Sequence, residues 1–298
     1  MPDGVAAVSR DVILRYEEFL RICRLTAGLG VASVKVTGGE PLARKGCVNF
    51  LMALKSTPGL ERVTLTTNGV LLEPYIEALA GMGLDGVNIS LDSLDPETYA
   101  RITGADEFSA VWRSLQAAIK AELRVKVNCV PIRGLNDMEI TGFARLAECW
   151  PVDVRFIEFM PTEAGERFRG LPDTEILDRL YVEYPDLVPD SRERGSGPAR
   201  YFSCAKMKGA VGLISATSRC FCAACNRIRV TSEGFLKLCL YHDGGLDLRG
   251  LIRDGARDDE IESAIVGAVM RKPERHFFGD RAGADAGMGI KKMSRIGG

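Results

Sequence analysis

The 298 residues carry a formal net charge of -1, with 46% hydrophobic and 27% charged residues, the make-up of an ordinary soluble globular protein. Lysine and arginine are scattered rather than blocked, which speaks against a nucleic-acid surface, and no apolar run approaches the ~20 residues of a membrane span. Nine cysteines without a regular even framework, and no signal-peptide pattern, point to reduced thiols in the cytoplasm and to metal rather than disulfides.

Residues 1–10 show no periodicity and read as a loop. From Asp11 to Gly28 the apolar positions Ile13, Leu14, Phe19, Leu20, Ile22, Cys23 and Leu25 recur at helical spacing. A strand, Val31–Thr37, then runs into the sharp turn GGEP, and a helix follows from about Val48 to Ser56. The beat repeats through strand Arg62–Thr66, helix Pro74–Met82, strand Gly86–Leu91 and helix Phe108–Ala121. It continues with strand Arg124–Val130, helix Met138–Glu148 and strand Val154–Phe159. Strands alternating with amphipathic helices predict βα units and a parallel sheet, open or rolled into a barrel. The pattern weakens from Thr162 to Gly209, where a helix over Asp173–Leu180 and a loop in PDSRERGSGP are expected. We therefore expect a barrel region over 1–165 and a second region over 166–298. The latter holds a turn and short helix in GGLDLRGLIRDG, an amphipathic helix Asp259–Met270 and a glycine-rich tail from Gly279.

Gly38-Gly39-Glu40, Thr66-Thr67-Asn68-Gly69, Ser90-Leu91-Asp92 and Met160-Pro161 each follow the carboxyl end of a predicted strand. In a parallel barrel that rim binds ligands. Each is also an ordinary βα turn when taken singly, since such turns need Gly and Asn anyway. Together they fit one ligand-binding face.

The C-terminal region carries Cys222, Cys225 and Cys239 as Cys-x2-Cys-x13-Cys. A tight pair and a distant third thiolate suit zinc or an iron–sulfur cluster. With His242 the set becomes Cys-x2-Cys-x13-Cys-x2-His, a reasonable structural zinc site, and spacing alone leaves the two metals level. Arg227 and Arg229, two apart in an expected strand, would point the same way, and two fixed cations beside a metal suit an anionic ligand such as phosphate. Cys23, Cys47, Cys129 and Cys149 read as small buried hydrophobes. Only His242 and His276 are available as histidines, a poor basis for histidine catalysis.

Across VKVTGGEPLARK, LTTNGVLL, VNISLDSLDPETYARITG, VKVNCVPIRGLND, RFIEFMP, SGPARYF, FCAACNRIRVTSEGFLKLCLY and MSRIGG the chain resembles the GTP 3',8-cyclases. These are radical S-adenosylmethionine enzymes of molybdenum-cofactor biosynthesis. The resemblance implies an incomplete TIM-like (βα)6 barrel with a C-terminal extension that carries a second iron–sulfur site. It implies that Gly38, Gly39, Glu40, Ser90 and Met160 meet S-adenosylmethionine, and that Lys35, Thr66, Lys126, Arg227, Ile228 and Arg229 meet GTP. Lys35 stands where the family usually has arginine; it keeps the charge and loses the bidentate fork. Cys222, Cys225 and Cys239 would ligate a 4Fe-4S cluster with one iron open to guanine, and Gly297 and Gly298 would enter the active site. Implied partners are a reductant such as flavodoxin or ferredoxin, a second copy in a homodimer, and the next enzyme of molybdopterin synthesis.

Family members also carry a Cys-x3-Cys-x2-Cys motif whose third cysteine immediately precedes a stretch like MPDG, and this chain begins Met1-Pro2-Asp3-Gly4. No other cysteines take that spacing, so the chain as given is expected to lack the ligands of the cluster that cleaves S-adenosylmethionine, and to be inactive. Two alternatives remain beside the cyclase: a zinc-stabilised or truncated nucleotide-binding paralogue, and a radical enzyme with another substrate.

Overall fold

The computed structural model describes residues 9–160, 168–215, 218–219, 221–240 and 244–274. Met1–Gly4, Pro161, His242, His276 and the tail glycines Gly297 and Gly298, all named above, lie outside them. In chain order the elements are α1 (Tyr16–Gly28), β1 (Ser33–Val36), α2 (Cys47–Lys55), β2 (Arg62–Thr67), α3 (Ile76–Gly81) and β3 (Gly86–Ser90). Then come α4 (Pro96–Thr103), α5 (Phe108–Lys120), β4 (Val125–Cys129), α6 (Ile140–Cys149), β5 (Asp153–Ile157) and α7 (Asp173–Glu183). The chain continues with β6 (Val188–Asp190), β7 (Arg200–Ser203), β8 (Ala210–Ile214), β9 (Arg229–Val230), β10 (Phe235–Lys237) and β11 (Gly245–Asp247). Helices α8 (Leu248–Arg253) and α9 (Asp258–Val269) complete the described elements. Among the described residues, one compact unit comprises 42–48 and 64–221, and a second comprises 9–41, 49–63 and 222–274.

In the first unit the strand order is β2-β3-β4-β5-β8-β7-β6. Strands β2 to β5 and β8 are parallel, as the alternation of strands and helices predicts, and β7 and β6 close the edge as antiparallel strands. This is the order of βα units in a partial TIM-like barrel. The odd-numbered set Val87, Ile89, Val125, Val127 and the flanking Val154 and Phe156 are fully buried on one face of the sheet. Helices α5 and α6 cover that face, contributing Val111, Leu115, Phe143 and Ala144, with Phe143 edge-on to Phe156 at 6.1 Å. Four elements of this unit were not anticipated: β6 and β7, which overlap and follow the loop expected in PDSRERGSGP, together with α4 and β8. Helix α4 starts where the Asp95 carboxylate accepts the Thr98 N–H at 2.8 Å, has Pro96 at its first turn, and stops at Gly104 with φ +72°. Strand β8 is the apolar run AVGLI, inserted beside β5 with Val154 opposite Val211 and Phe156 opposite Leu213.

The second unit is built on the antiparallel sheet β11-β10-β9 and helices α1, α8 and α9. Leu14, Ile22, Leu25, Leu236, Leu238, Leu248, Ile261 and Ile265 form its core. The turn between β9 and β10 requires Gly234, at φ +81°, because an added Cβ would lie 3.1 Å from the Leu14 side chain and 2.7 Å from that of Arg249. Helix α1 is held at its start by Glu18, whose carboxylate accepts from the Arg15 N–H and from Arg253 at 2.9 and 3.2 Å.

Candidate active site

The face of the first unit's sheet opposite α5 and α6 is polar, and its composition follows from the strand sequences. VTLTT, GVNIS, VKVNC and DVRFI alternate apolar and polar residues, so every second side chain is delivered to the same side. Register then aligns them across strands. Thr66 lies opposite Asn88, Asn88 opposite Lys126, and Lys126 opposite Asp153. One step nearer the carboxyl ends, Ser90 lies opposite Asn128, Asn128 opposite Arg155, Arg155 opposite Gly212, and Gly212 opposite Tyr201. Thr66, Ser90 and Lys126, drawn from three separate stretches of sequence, are thus brought onto one surface.

Hydrogen bonds knit this surface together. Arg155 donates through Nε to Asn128 Oδ1 at 2.8 Å and through Nη2 to Asn88 Oδ1 at 2.7 Å. Asn88 donates to Thr66 Oγ1 at 3.0 Å and to the Leu65 carbonyl at 3.1 Å. Lys126 donates to the Tyr201 hydroxyl at 3.0 Å and to the Arg194 carbonyl, and lies 3.6 Å from the Asp153 carboxylate. Its ammonium and the Arg194 guanidinium both sit near the Tyr201 ring, 5.1 and 5.7 Å from the centroid. Asp153 and Asp190 in turn hold Arg194. Burial and the neighbouring Arg155 pull the Lys126 ammonium down to about 8, with Asp153 opposing them. Burial likewise lowers Arg155. A surface of this kind, with two partly desolvated cations beside amide and hydroxyl donors, is suited to an anionic, hydrogen-bonding ligand.

The turn after Ser90 is anchored by Asp92, whose carboxylate accepts the Val130 N–H at 2.8 Å and so ties the end of β3 to the end of β4. Burial pushes the Asp92 carboxyl up from its ordinary range, against that hydrogen bond. Met160 follows β5 and is half-buried, and Glu158 two residues earlier accepts the Ser218 N–H at 3.0 Å. Lys35 is exposed on β1 of the second unit, and GGEP follows that strand. An added Cβ at Gly38 or Gly39 would meet nothing within 4 Å, so among the described residues this turn is open to a ligand.

In the second unit Cys222 opens a single 3-10 turn, Cys222–Ala224, and its carbonyl accepts the Cys225 N–H at 2.9 Å. Lys272, just beyond α9, clamps the turn by donating to the carbonyls of Cys225 and Arg227 at 2.7 and 2.9 Å, with its Nζ 3.6 Å from Cys225 Sγ. Burial pushes the Cys225 thiol up, but the Arg227 N–H and the charges of Lys272 and Arg227 outweigh it and hold the thiol below its ordinary value. Cys239 follows β10, and all three thiols are half-buried. Their donor chemistry fits an iron–sulfur cluster. A tetrahedral zinc with Zn–S near 2.3 Å would need sulfurs about 3.8 Å apart. Among the described residues no three His, Cys, Asp or Glu side chains gather as an ion-sized group. Strand β9 begins only at Arg229, because Arg227 belongs to the clamped turn, so the expected strand alternation of the two arginines does not arise. Lys237, which sequence reasoning passed over, is buried directly opposite Arg229. Cys47 and Cys129 are buried as expected, whereas Cys149, the last residue of α6, is exposed.

A family model described as the radical SAM superfamily matches residues 6–147, and one described as Molybdenum Cofactor Synthesis C matches residues 152–278. Over 303 residues the chain is 43% identical to a GTP 3',8-cyclase of Heliobacterium modesticaldum, covering 100% of this chain and 92% of that one. It is 42% identical over 278 residues to a GTP 3',8-cyclase of Moorella thermoacetica, covering 92% and 86%. The crystal structure of Streptococcus suis SuiB matches with a TM-score of 0.50 at 19% identity, over 58% of this chain and 40% of that one, a likeness of fold.

Proposed function

The chain belongs to the GTP 3',8-cyclase family of radical SAM enzymes, and we infer that its reaction is the cyclisation of GTP to (8S)-3',8-cyclo-7,8-dihydroguanosine 5'-triphosphate in molybdenum-cofactor synthesis. The observation that carries this reading is the polar row Thr66–Asn88–Lys126–Asp153 with Arg155 behind it, in a chain related to those cyclases over its whole length. When bound, S-adenosylmethionine and a 4Fe-4S cluster would supply the radical chemistry for joining ribose C3' to C8 of guanine.

The chain's own residues bind, orient and exclude water. Lys126 and Arg155 offer cations to the triphosphate, and Thr66 offers a hydroxyl. Lys35, Arg227, Ile228 and Arg229 are proposed as further GTP contacts, with Arg229 and Lys237 adding charge. Gly38, Gly39, Glu40, Ser90 and Met160 are proposed for S-adenosylmethionine: the open glycines admit its amino acid end and Glu40 receives its ammonium. Cys222, Cys225 and Cys239 are proposed as ligands of a second 4Fe-4S cluster, with Lys272 keeping the Cys225 turn in place. The family reading also implies a flavodoxin- or ferredoxin-type reductant, a homodimer, and transfer of the product to the next enzyme of the pathway. No described helix is long and apolar enough to cross a membrane.

Anaerobic reconstitution with iron and sulfide, followed by iron counting and titration with GTP, tests the proposal. About four irons bound through the C-terminal thiols, lost in Cys222→Ala, with a spectrum perturbed by GTP, are expected. Zinc in place of iron, or no response to GTP, would sink it. Product formation from GTP in the same preparation tests the separate expectation that the chain as given is inactive.

A further inference from the structure

Asn88 is buried, with 5% of its surface exposed, and it is bonded on every side. Its amide nitrogen donates to the Leu65 carbonyl at 3.1 Å and to Thr66 Oγ1 at 3.0 Å, and its amide oxygen accepts from Arg155 Nη2 at 2.7 Å. The orientation of the amide follows from chemistry. A flipped amide would set N–H against the Arg155 N–H and oxygen against the Leu65 carbonyl, losing both of those bonds and leaving only the one to Thr66, with its direction reversed. Arg155 cannot turn away to relieve this, because its Nε is bonded to Asn128 at 2.8 Å.

We propose that Asn88 is a positioning residue that fixes the direction of hydrogen bonding at Thr66, so that Thr66 presents its hydroxyl proton to the substrate and faces an acceptor atom. A threonine hydroxyl has one proton and two lone pairs. Asn88 occupies a lone pair, and among the described residues Thr66 Oγ1 makes no hydrogen bond to another side chain. The proton is left for the ligand. A phosphate, ribose or guanine oxygen, or an unprotonated ring nitrogen, is matched; an N–H is not. Arg155 is the remote end of the relay, since the buried guanidinium commits the amide oxygen and the amide nitrogen then commits Thr66. This selection of ligand polarity rests on the reading of Thr66 as a GTP contact.

The test is equilibrium GTP binding by the reconstituted protein and its Asn88→Asp, Thr66→Val, Thr66→Ser and Asn88→Asp/Thr66→Val variants. Aspartate keeps the shape and the acceptor for Arg155, but it accepts the Thr66 proton and turns it away from the ligand. Asn88→Asp and Thr66→Val are each expected to weaken GTP about tenfold, the loss of one good hydrogen bond. In the Thr66→Val background Asn88→Asp should have less than about a twofold further effect, because coupled residues do not add. Thr66→Ser, which keeps the donor, should recover most of the affinity that Thr66→Val loses. Iron content and melting temperature report any purely structural damage. Full additivity of the two substitutions would put the action of Asn88 on Arg155 alone and overturn the relay. Should Asn88→Asp fail to fold, wild-type affinity in Thr66→Val would overturn it as well. Failure of the unaltered protein to bind GTP would instead overturn the cyclase reading, and this one with it.

Discussion

Lys126 makes the proposed nucleotide site sensitive to pH in a calculable way. Burial and the Arg155 charge bring its ammonium to about 8, while Asp153 opposes them. About nine-tenths of the side chain is then charged at pH 7 and about one-tenth at pH 9. A triphosphate that takes only the charged form is bound about tenfold more weakly at the higher pH, a difference on the order of 1.4 kcal/mol. The sign for stability is opposite. An unfolded lysine titrates near 10.4, so between about 8 and 10.4 the unfolded chain holds more protons and the folded state gains stability as pH rises. Unfolding at Lys126 therefore cannot mimic the loss of affinity. The assay is GTP binding by reconstituted protein from about pH 7 to pH 9, beside a Lys126→Arg variant, since arginine stays charged throughout. Ionisation of the guanine affects both proteins alike, so the difference between their curves isolates the lysine. A flat curve for the unaltered protein, or an equal fall in the arginine variant, refutes the argument.

Two further expectations follow from close packing and from a buried charge. Gly212→Ala would put a Cβ 2.8 Å from the Tyr201 ring and 3.1 Å from Arg155 Cγ, so it should displace both and cost about 1–3 kcal/mol in denaturant unfolding. GTP affinity should fall alongside; unchanged stability and affinity would show that the face adapts freely. Arg253→Ala takes a cation from the Glu18 carboxylate and leaves it the Arg15 N–H; the Glu18 side chain is 6% exposed, while the arginine is 35% exposed and its contribution is discounted for solvent. A lower melting temperature at neutral pH is expected. The hydrogen bond from Arg253, against burial, holds Glu18 below its ordinary value, so the stabilisation is present above the unfolded carboxyl pKa and is lost as pH falls through the lower folded one. A melting curve of the variant that parallels the parent at every pH would contradict the pairing.

The βα beat, the carboxyl-end turns and the cysteine spacing were legible in the sequence because each is local: a period, a glycine, or a gap between thiols. What escaped was either masked by an expectation or made by register. Helix α4 carries a plain start and stop in Asp95-Pro96 and Gly104, but it follows the Ser90 turn so closely that no element was assigned there. AVGLI, which became β8, offers only a short apolar run that a strand and a buried helix share. The Thr66–Asn88–Lys126–Asp153 row depends on pairings between residues 22 to 38 positions apart, for which no single strand contains a signal. Lys272 reaches Cys225 from 47 residues away for the same reason. One clue to the row was nonetheless present. Parallel strands buried on both faces read as continuous apolar runs, whereas VKVNC, GVNIS and DVRFI put Lys, Asn or Arg at alternate positions. In a chain whose helices already cover one face, that alternation leaves the polar side chains on the other. There they need partners, and a buried row of Asn, Lys and Arg finds them in one another, in Thr66, Asp153, Tyr201 and nearby carbonyls, and in a bound ligand. Alternation in a strand that ought to be uniformly apolar is therefore itself a site signal, and it marks Asn88, Asn128 and Arg155 as clearly as any motif marks the cysteines.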